Sequence, residues 1–548
     1  MTAFCHLTEK LEEIRNHEFY QPYLAELRQA FSEHQGTPIP ALDYGSFKQF
    51  WINGSRKEYE SKYFQRRRRL SQAFLLCLLY DEKEYLEELC EILWAICGEI
   101  SWALPAHLAR TSAAGYRDYL DLFAAETGQS LAEILYFCED QLPADLCELI
   151  RSELSARIFD SYESRSHFWE TLVSNWPGVC AGSIGMAYLY AAPERFDRVK
   201  DRIKGDLDNF LKSYGEDGSN TEGISYWKYG FWIYLNFADL LYRFTDGKED
   251  MRHSEKLDKI AAFLPKMGLR GNTVISFSDG ARSYAYTDIG LYSYLRRCYG
   301  VTVTAVKPET IHIAVTGKSS WLLRNFLWSD PADYTGAEKT DEAMQYLEDA
   351  EWYIARREKY AFAAKAGNNC EGHNHNDVGS FILATDEGQI LADLGAMEYT
   401  AKSFSSERYT ILSNSSLGHS VPILDGKEQP AGGDRRGKVL RVTDDEFSME
   451  LQGAYPEGAP QVVRTFRLSP QGITLTDEYP DMAGHTAVER LVSVIEPAVQ
   501  GDTVTIGSVR LCCRTAPKIT KKTLKNHRAE DEDVWLMDYP VTEGRFVL

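Results

Sequence analysis

Three side chains of the types that bind divalent metals stand in separate segments of the second half of the chain: His375, Asp393 and His419. Mixed histidine and carboxylate donors suit zinc or a similar divalent ion, and three protein ligands leave one coordination position for water. His373 lies two residues before His375. If this segment is a strand, both histidines point to one face, so that one can serve chemistry while the other binds the metal. Asp377 is expected to be a further ligand or to orient a histidine.

Two groups of residues in the first half could also carry chemistry. Residues 174–177, Ser-Asn-Trp-Pro, are expected to end one helix, and the Asn175 amide can donate hydrogen bonds to an anion; a simple cap or turn role is the alternative. After a glycine-containing loop over 217–223, a helix is expected to display Tyr226 and Tyr229 on nearly one face. Either phenol could act as an acid or base in a cleft, although most of the 32 tyrosines are expected to be packing residues.

Composition excludes some partners. The net charge of −21 over 548 residues argues against a general binder of nucleic acid or of anionic membranes, since both need a basic surface. A polyanionic substrate stays open, because a local basic cleft can lie in an acidic protein. The only dense basic run, Arg66 to Arg69, is typical of a solvated helix face. Abundant aromatic residues (11 Trp, 32 Tyr and 25 Phe) could supply platforms on which sugar rings stack.

The same sequence predicts a reduced, cytoplasmic protein. Its eleven cysteines are scattered and include no Cys-x-x-Cys pair, which is unlike a disulfide scaffold. The first residues show no apolar signal segment, and no run reaches the roughly 18 apolar residues of a membrane span. Oligomeric state stays open, a homo-oligomer included.

Hydrophobic periodicity changes along the chain. Up to about residue 330 it lies near 3.6, with helical patterns separated by short turns, which predicts antiparallel helix pairs stacked in a layer or toroid. After about 350 it becomes two, with hairpins expected over 380–393 and 462–478, which favours an antiparallel β-sandwich. The fold class predicted is therefore multidomain α+β: a helical domain over 1–330, a polar linker over 331–349 and a β-sandwich over 350–548.

Together these motifs resemble the heparinase II/III-like polysaccharide lyases. The resemblance rests on Asn-Trp and Asp-Gly…Glu-Gly…Ser-Tyr in the helical half, then on His-Asn-His-Asn-Asp, Asp-x-Gly and a later His, over roughly 165–430. It implies an incomplete (α/α) toroid joined to an antiparallel β-sandwich. It also implies cleavage of uronate-containing, glycosaminoglycan-like glycans by β-elimination, which leaves a 4,5-unsaturated uronate. The expected partner is an acidic polysaccharide or oligosaccharide.

The resemblance implies a role for each matching residue. Asn175 would bind the substrate carboxylate, while Tyr226 and His373 would exchange protons with the sugar, with Tyr229 as the alternative tyrosine. A structural zinc-like ion would be held by His375, Asp393 and His419. The remaining residues are expected to contact substrate or orient neighbours: Trp176, Glu222, Tyr399 and Arg408. These roles draw on both halves of the chain.

Elimination needs such a set because the C5 proton next to an ionised carboxylate is very weakly acidic. A group must neutralise the carboxylate so that the developing enolate is stabilised, while a base reaches C5 and an acid reaches the glycosidic oxygen. Three other readings stay open: a metal-dependent glycan hydrolase in which the ion activates water, a glycoside hydrolase using Asp217 and Glu222, and a glycan-binding protein without catalysis.

Overall fold

A computed structural model describes residues 6–108, 115–334, 344–542 and 544–548. The chain forms two compact units, each discontinuous in sequence. The first takes in the described residues of 1–213, 228–261 and 286–338, and the second those of 214–227, 262–285 and 339–548. Among the described residues, no helix has the length and apolar content needed to cross a membrane.

The first unit is helical, as the 3.6-residue periodicity predicts. The last helix of this unit, α17, packs against two early helices, α5 and α1. Helix α10 packs between α7 and α12. The α-helices of the described chain are α1 Leu7–Asn16, α2 Gln21–Ser32, α3 Tyr44–Phe47, α4 Gln49–Asn53, α5 Lys57–Leu79, α6 Lys83–Cys97, α7 Leu122–Cys138, α8 Ala144–Leu154, α9 Asp160–Ser164, α10 Asn175–Ala191, α11 Pro193–Phe196, α12 Lys200–Leu211, α13 Ile224–Phe244, α14 Glu255–Ala261, α15 Phe263–Met267, α16 Ile289–Tyr299 and α17 Ser319–Leu327.

Helix α10 is packed closely because it carries glycines on its contact faces. A Cβ on Gly178 would lie 2.6 Å from the Phe210 ring, and one on Gly182 would lie 2.9 Å from Ile233. The helix begins at Asn175, with Ser174 as its N-cap. The expectation that residues 174–177 end a helix is therefore wrong, because the Ser174 hydroxyl and a proline in the first turn together start one.

The basic run on α5 is not a solvated helix face. Arg66, Arg67 and Arg69 are buried, and Arg67 makes two hydrogen bonds of 2.7 Å to the Glu99 carboxylate. Arg66 shares that carboxylate at 3.0 Å. The buried Glu99 carboxylate therefore pairs with Arg66 and Arg67 inside the unit, where pairing offsets the cost of removing the charges from water.

The second unit is built on antiparallel sheets. A five-stranded sheet has the order β3-β4-β5-β7-β8, a second has β11-β12-β13-β14-β21, and a four-stranded sheet has β19-β20-β15-β9. The strands are β1 Gly268–Arg270, β2 Thr273–Val274, β3 Met344–Leu347, β4 Trp352–Arg356, β5 Ala361–Lys365, β6 Asn368–Asn369, β7 Phe381–Thr385, β8 Gly388–Leu391, β9 Pro422–Leu424, β10 Gly432–Arg436, β11 Lys438–Val442, β12 Glu446–Glu450, β13 Val463–Ser469, β14 Gly472–Glu478, β15 Ala487–Ser493, β16 Ala498–Gln500, β17 Thr503–Ile506, β18 Val509–Cys512, β19 Lys518–Lys525, β20 Asp531–Val541 and β21 Arg545–Val547.

Both predicted hairpins are present. Strands β7 and β8 pair antiparallel around residues 386–387, and β13 pairs with β14 from Val463↔Glu478 to Ser469↔Gly472. Apolar residues from these sheets, including Phe381, Phe447 and Phe466, form a common core. Buried and more exposed residues alternate along β13, whereas β7 is largely buried on both faces.

The units do not follow the boundaries 1–330 and 350–548. Residues 214–227 and 262–285 come from the predicted helical part and belong to the second unit. Within the predicted linker 331–349, Met344–Leu347 is an edge strand paired with Trp352–Arg356, while 335–343 lie outside the described residues. Periodicity reports local conformation, so it could not reveal which unit a short segment packs against.

Candidate active site

The segment that carries His373 and His375 is a loop and not a strand. It runs between β6 and β7, and His373 has φ of +52°, in the left-handed region. Local side-chain bonds replace a strand ladder here, since Asn374 accepts from the Glu371 amide at 3.3 Å and donates to the Asn376 side chain at 3.0 Å. Alternation therefore does not bring the two histidines together.

A single carboxylate, Asp279, brings them together instead. It accepts hydrogen bonds from Nδ1 of His373 at 3.0 Å and from Nε2 of His375 at 2.9 Å. The Tyr399 hydroxyl donates to it at 2.9 Å, and Arg408 donates to both oxygens at 3.1 and 3.2 Å. Burial alone would raise the pKa of Asp279, but the histidine bonds and the Arg408 charge hold it well below its usual value.

Sequence reasoning missed Asp279. It lies in Phe277-Ser278-Asp279-Gly280, 94 residues before His373, in a segment with no metal-ligand spacing. The structural signal is Ser278, whose φ of +59° places a non-glycine residue in the left-handed region next to a buried charge. Backbone strain of this kind is common at functional sites, but only the three-dimensional structure reveals it.

His373, Tyr226, Tyr399 and Arg408 are the partly exposed members of this cluster. The His373 and Tyr226 rings stack with centroids 4.0 Å apart and an angle of 17°. The Tyr226 and Tyr399 hydroxyls are 2.9 Å apart, and Tyr399 donates onward to Asp279. Burial raises the pKa of both phenols. The two tyrosines therefore keep their protons at neutral pH and form a chain of hydroxyls that ends on a carboxylate.

The three predicted metal ligands lie below this layer. The candidate ligand atoms of His375, Asp393 and His419 all lie within 4.8 Å of one another, and each residue is 0% exposed. His375 and Asp393 come from the loops that surround the β7–β8 hairpin, and His419 follows a short turn at Ser416–Gly418. The predicted set is thus assembled, although a loop rather than a strand carries its first member.

A buried nitrogen without a hydrogen-bond partner fits a cation at this point. Nδ1 of His375 is buried and has no hydrogen-bond partner, while its Nε2 is held by Asp279. His419 donates from Nε2 to the Ser413 carbonyl at 2.9 Å, so its Nδ1 faces Asp393 Oδ2 at 3.1 Å. Two histidine nitrogens and a carboxylate oxygen within 4.8 Å of one another form a donor set of the type that zinc binds.

Asp377 stands beside the three ligands. One of its oxygens binds Lys365 Nζ at 2.8 Å; the other has no hydrogen-bond partner and lies 3.7 Å from His419 Nδ1. Burial lowers the pKa of His419, but Asp393 and Asp377 more than offset this and raise it. The buried negative charge around His419 therefore favours a cation at this position.

Two residues expected to contact substrate have mainly internal partners. Arg408 donates to the carbonyls of His373 at 2.9 Å, Asn374 at 3.1 Å and Ser403 at 3.1 Å, besides Asp279. Glu222 is 8% exposed, and it packs so closely on Gly372 that a Cβ there would lie 2.5 Å from it. Burial raises the pKa of Glu222. Both residues brace the His373 loop.

Three predicted site residues lie in the first unit. Asn175 is buried at the start of α10, and its side-chain amide has no hydrogen-bond partner among the described residues. Trp176 meets the His107 ring at a centroid distance of 5.1 Å. Tyr229 donates to Glu126 at 3.1 Å, unlike Tyr226, which belongs to the Asp279 cluster.

The part of the second unit that carries the histidine and aspartate motifs matches a known protein family. The family model described as "Heparinase II/III-like, C-terminal" matches residues 339–537, which contain His373, the three candidate ligands and Arg408. These residues are similar to the C-terminal domain of the heparinase II/III-like family. The resemblance drawn from the sequence motifs is therefore confirmed for this part of the chain. The search of curated proteins found no match.

Solved structures extend the likeness to the whole chain. Heparan sulfate lyase HepC from Pedobacter heparinus has a TM-score of 0.58 at 13% identity, covering 100% of this chain and 87% of its own. Heparinase III gives 0.61 at 12%, covering 99% and 91%. A chondroitin AC lyase variant from Streptomyces coelicolor A3 gives 0.57 at 11%, covering 100% and 82%. The predicted fold, an incomplete (α/α) toroid followed by an antiparallel β-sandwich, is confirmed.

Proposed function

We propose that this protein is a polysaccharide lyase that cleaves uronate-containing glycans by β-elimination. The observation that carries the proposal is the pair formed by His373 and Tyr226. Both side chains are partly exposed, they stack 4.0 Å apart, and both are anchored through hydrogen bonds to the buried Asp279. A proton acceptor and a proton donor thus stand side by side, as an elimination requires.

The hydrogen bonds support a separate role for each side chain. Asp279 accepts from Nδ1 of His373, which places the proton of the neutral imidazole on Nδ1 and leaves the Nε2 lone pair to take a proton from C5 of the uronate. Tyr226 is the acid, because burial raises its pKa and keeps its hydroxyl protonated. The C5–H and C4–O bonds break, a C4–C5 double bond forms, and the Tyr226 proton goes to the leaving oxygen.

The carboxylate must be stabilised while C5 loses its proton. That Asn175 meets this need stays a prediction from the sequence motifs. The solved relatives named above include lyases of heparan sulfate and chondroitin, which supports a glycosaminoglycan as the substrate class. Cytoplasmic location and a homo-oligomeric state stay predictions.

We further propose that His375, Asp393 and His419 hold a structural divalent ion, with zinc as the best fit. The ion would supply charge that fixes the ligand loops, including the segment that carries His373. All three residues are 0% exposed. This burial favours the lyase over a metal-dependent hydrolase, because an ion that activates water has to meet the substrate.

The contacts of Asp217 argue against the glycoside hydrolase alternative. Its two carboxylate oxygens accept from the backbone amides of Ser219 at 2.9 Å and Asp349 at 3.0 Å, so it shapes a turn. Paired catalytic carboxylates would both have to face the sugar, whereas Glu222 packs against Gly372.

The test is to incubate the protein with heparan sulfate, chondroitin sulfate, hyaluronan and alginate and to record ultraviolet absorbance from a new C4–C5 double bond. We expect absorbance to rise with one of the first three, and to be lost in Tyr226→Phe and His373→Ala. Tyr346→Phe, at a partly buried tyrosine on the edge strand β3 of the same unit, is the matched control and should keep most activity. New reducing ends without absorbance would contradict elimination and favour a hydrolase.

A further inference from the structure

The first unit contains a cavity that the proposed chemistry does not use. Its volume is about 390 Å³, which lies within the range of small-molecule sites. Its lining comes from α5, α7 and α13 and from the chain that leads into α17. Two phenyl rings, those of Phe64 and Phe123, form one wall with centroids 5.4 Å apart. The cavity thus offers an apolar surface of the kind on which a sugar ring packs.

One cation in this lining has no counter-charge. Arg68 is half-buried and makes no hydrogen bond or ion pair with any described residue, whereas its neighbours Arg66, Arg67 and Arg69 are all paired with carboxylates. Burial lowers the pKa of Arg68, and no nearby anion offsets that effect. A guanidinium that is desolvated without a partner is expected to have an anionic ligand.

The other charged residues of the cavity lining each have a partner of opposite charge. Lys318 forms an ion pair with Glu126, and its Nζ lies 3.9 Å from the Tyr229 ring centroid. The second oxygen of Glu126 accepts from the Tyr229 hydroxyl at 3.1 Å. Arg67 is paired with Glu99. Arg68 is therefore the charged residue of this lining that has no counter-ion among the described residues, in a chain whose net charge is −21.

We propose that this cavity binds an acidic sugar residue of the glycan, with Arg68 pairing with its carboxylate or sulfate and the rings of Phe64 and Phe123 packing against the sugar. That the ligand is a glycan rests on the proposed function; that it carries an anion rests on Arg68 alone. The site lies outside the group of residues that moves protons, so it would set affinity and substrate charge rather than the rate of the chemical step.

Affinity is measured first, by calorimetry on the Tyr226→Phe protein so that the probe is not consumed. The probes are a hyaluronan hexasaccharide, which carries carboxylates only, and a chondroitin sulfate hexasaccharide, which also carries sulfates. Arg68→Gln should weaken binding about tenfold or more, the scale of one charge-assisted hydrogen bond. Arg68→Lys should recover part of it. Loss with both probes identifies the carboxylate, and loss with the sulfated probe alone identifies the sulfate.

Arg198→Gln is the matched control, because Arg198 is an exposed arginine of the same unit. It changes net charge by the same amount and should leave affinity unchanged. Since Arg68 has no internal partner, Arg68→Gln should also keep the melting temperature of the parent protein. Equal weakening by both variants would overturn the proposal, because it would show a general effect of charge.

The second readout is chemical labelling of arginine by phenylglyoxal, measured on peptides by mass spectrometry. Arg68 should react in the free protein and be protected by the hexasaccharide that binds, while Arg198 should react equally in both. Binding without protection of Arg68, or no binding of either probe, would overturn the inference. If the parent protein forms unsaturated product but Arg68 is not protected, this inference fails while the proposed lyase activity is retained. If Arg68 is protected but no unsaturated product forms, the lyase activity is contradicted and the binding site is retained.

Discussion

Asp279 is the residue on which the geometry of the candidate site depends. Its two oxygens accept hydrogen bonds from two histidines, a tyrosine and an arginine, and it is only 4% exposed. It sets which nitrogen of His373 carries the proton and which nitrogen of His375 is left for a metal. One side chain therefore couples the proton-transfer pair to the buried ligand set.

Replacing Asp279 by Asn should reduce kcat by about 10²-fold or more, since the His373 imidazole would lose the acceptor that fixes its tautomer. KM should change little, because Asp279 is buried beneath the substrate-facing side chains. Steady-state kinetics and metal content would both be measured, and a fall in bound metal would report the link through His375. Asp386→Asn, at an exposed aspartate of the same unit, is the control. A kcat within threefold of the parent would contradict this role.

At the scale of elements, the loops around the site meet so closely that one glycine is required. Gly395 has φ of +60°, and a Cβ built on it would overlap the carbonyl oxygen of Gly280, the residue after Asp279. Its amide donates to Asp393 at 3.0 Å. Gly395 thus allows the Asp393 segment to lie directly against the Asp279 segment.

Gly395→Ala should therefore destabilise the protein more than its backbone angle alone predicts. A left-handed alanine costs about 1–2 kcal/mol, and the overlap with backbone should add about as much again. Gly426→Ala measures the first part by itself, because Gly426 has φ of +69° with nothing within 4 Å of its Cβ position. Thermal unfolding of the two variants would be compared; equal melting temperatures would show that the segments can separate without cost.

Most elements were predictable, and the segments between them were not. The change in periodicity identified the helical and sheet halves, and the hairpins β7–β8 and β13–β14 lie where alternation predicts them. The types and spacing of His375, Asp393 and His419 identified a set that the fold brings within 4.8 Å. Asp279 could not be found, since its partners lie 94–129 residues away and contacts at that separation leave no local pattern.

At the scale of the whole molecule, stability should depend on pH through Asp206. Burial raises the pKa of this carboxyl to about 7, against about 3.9 in an unfolded chain. Its contribution to stability is complete below pH 4 and is lost as pH rises towards 7, because only the unfolded state ionises over that range. Between pH 5 and pH 8 the melting temperature of Asp206→Asn should therefore fall less than that of the parent protein.

The measurement is a thermal scan at several pH values within that interval. Asp208→Asn, an exposed position on the same helix, should keep the pH dependence of the parent. If the Asp206 and Asp208 variants respond alike, the buried carboxyl is not the group that titrates. Melting temperatures are the suitable quantity, since a chain with two compact units need not unfold in one step.

Removal of the proposed ion should also act on the whole molecule. A chelator is expected to lower the melting temperature by several degrees, because binding to the folded state alone stabilises it. Elemental analysis should find about one divalent ion per chain in the purified protein, and His375→Ala should lose it. His485→Ala, which removes a partly exposed histidine of the same unit, should not. An unchanged melting curve with no bound metal would contradict the metal site.

The hydrogen bonds that meet at Asp279 have a consequence for folding. They join it to residues 94, 96, 120 and 129 positions further along the chain. Closing such long loops costs chain entropy before the hydrogen bonds can form and offset that cost. Local helices and hairpins are therefore expected to form earlier. The cluster is therefore among the last parts of the second unit to assemble, and on refolding from denaturant helical and sheet signals should return before catalytic activity does.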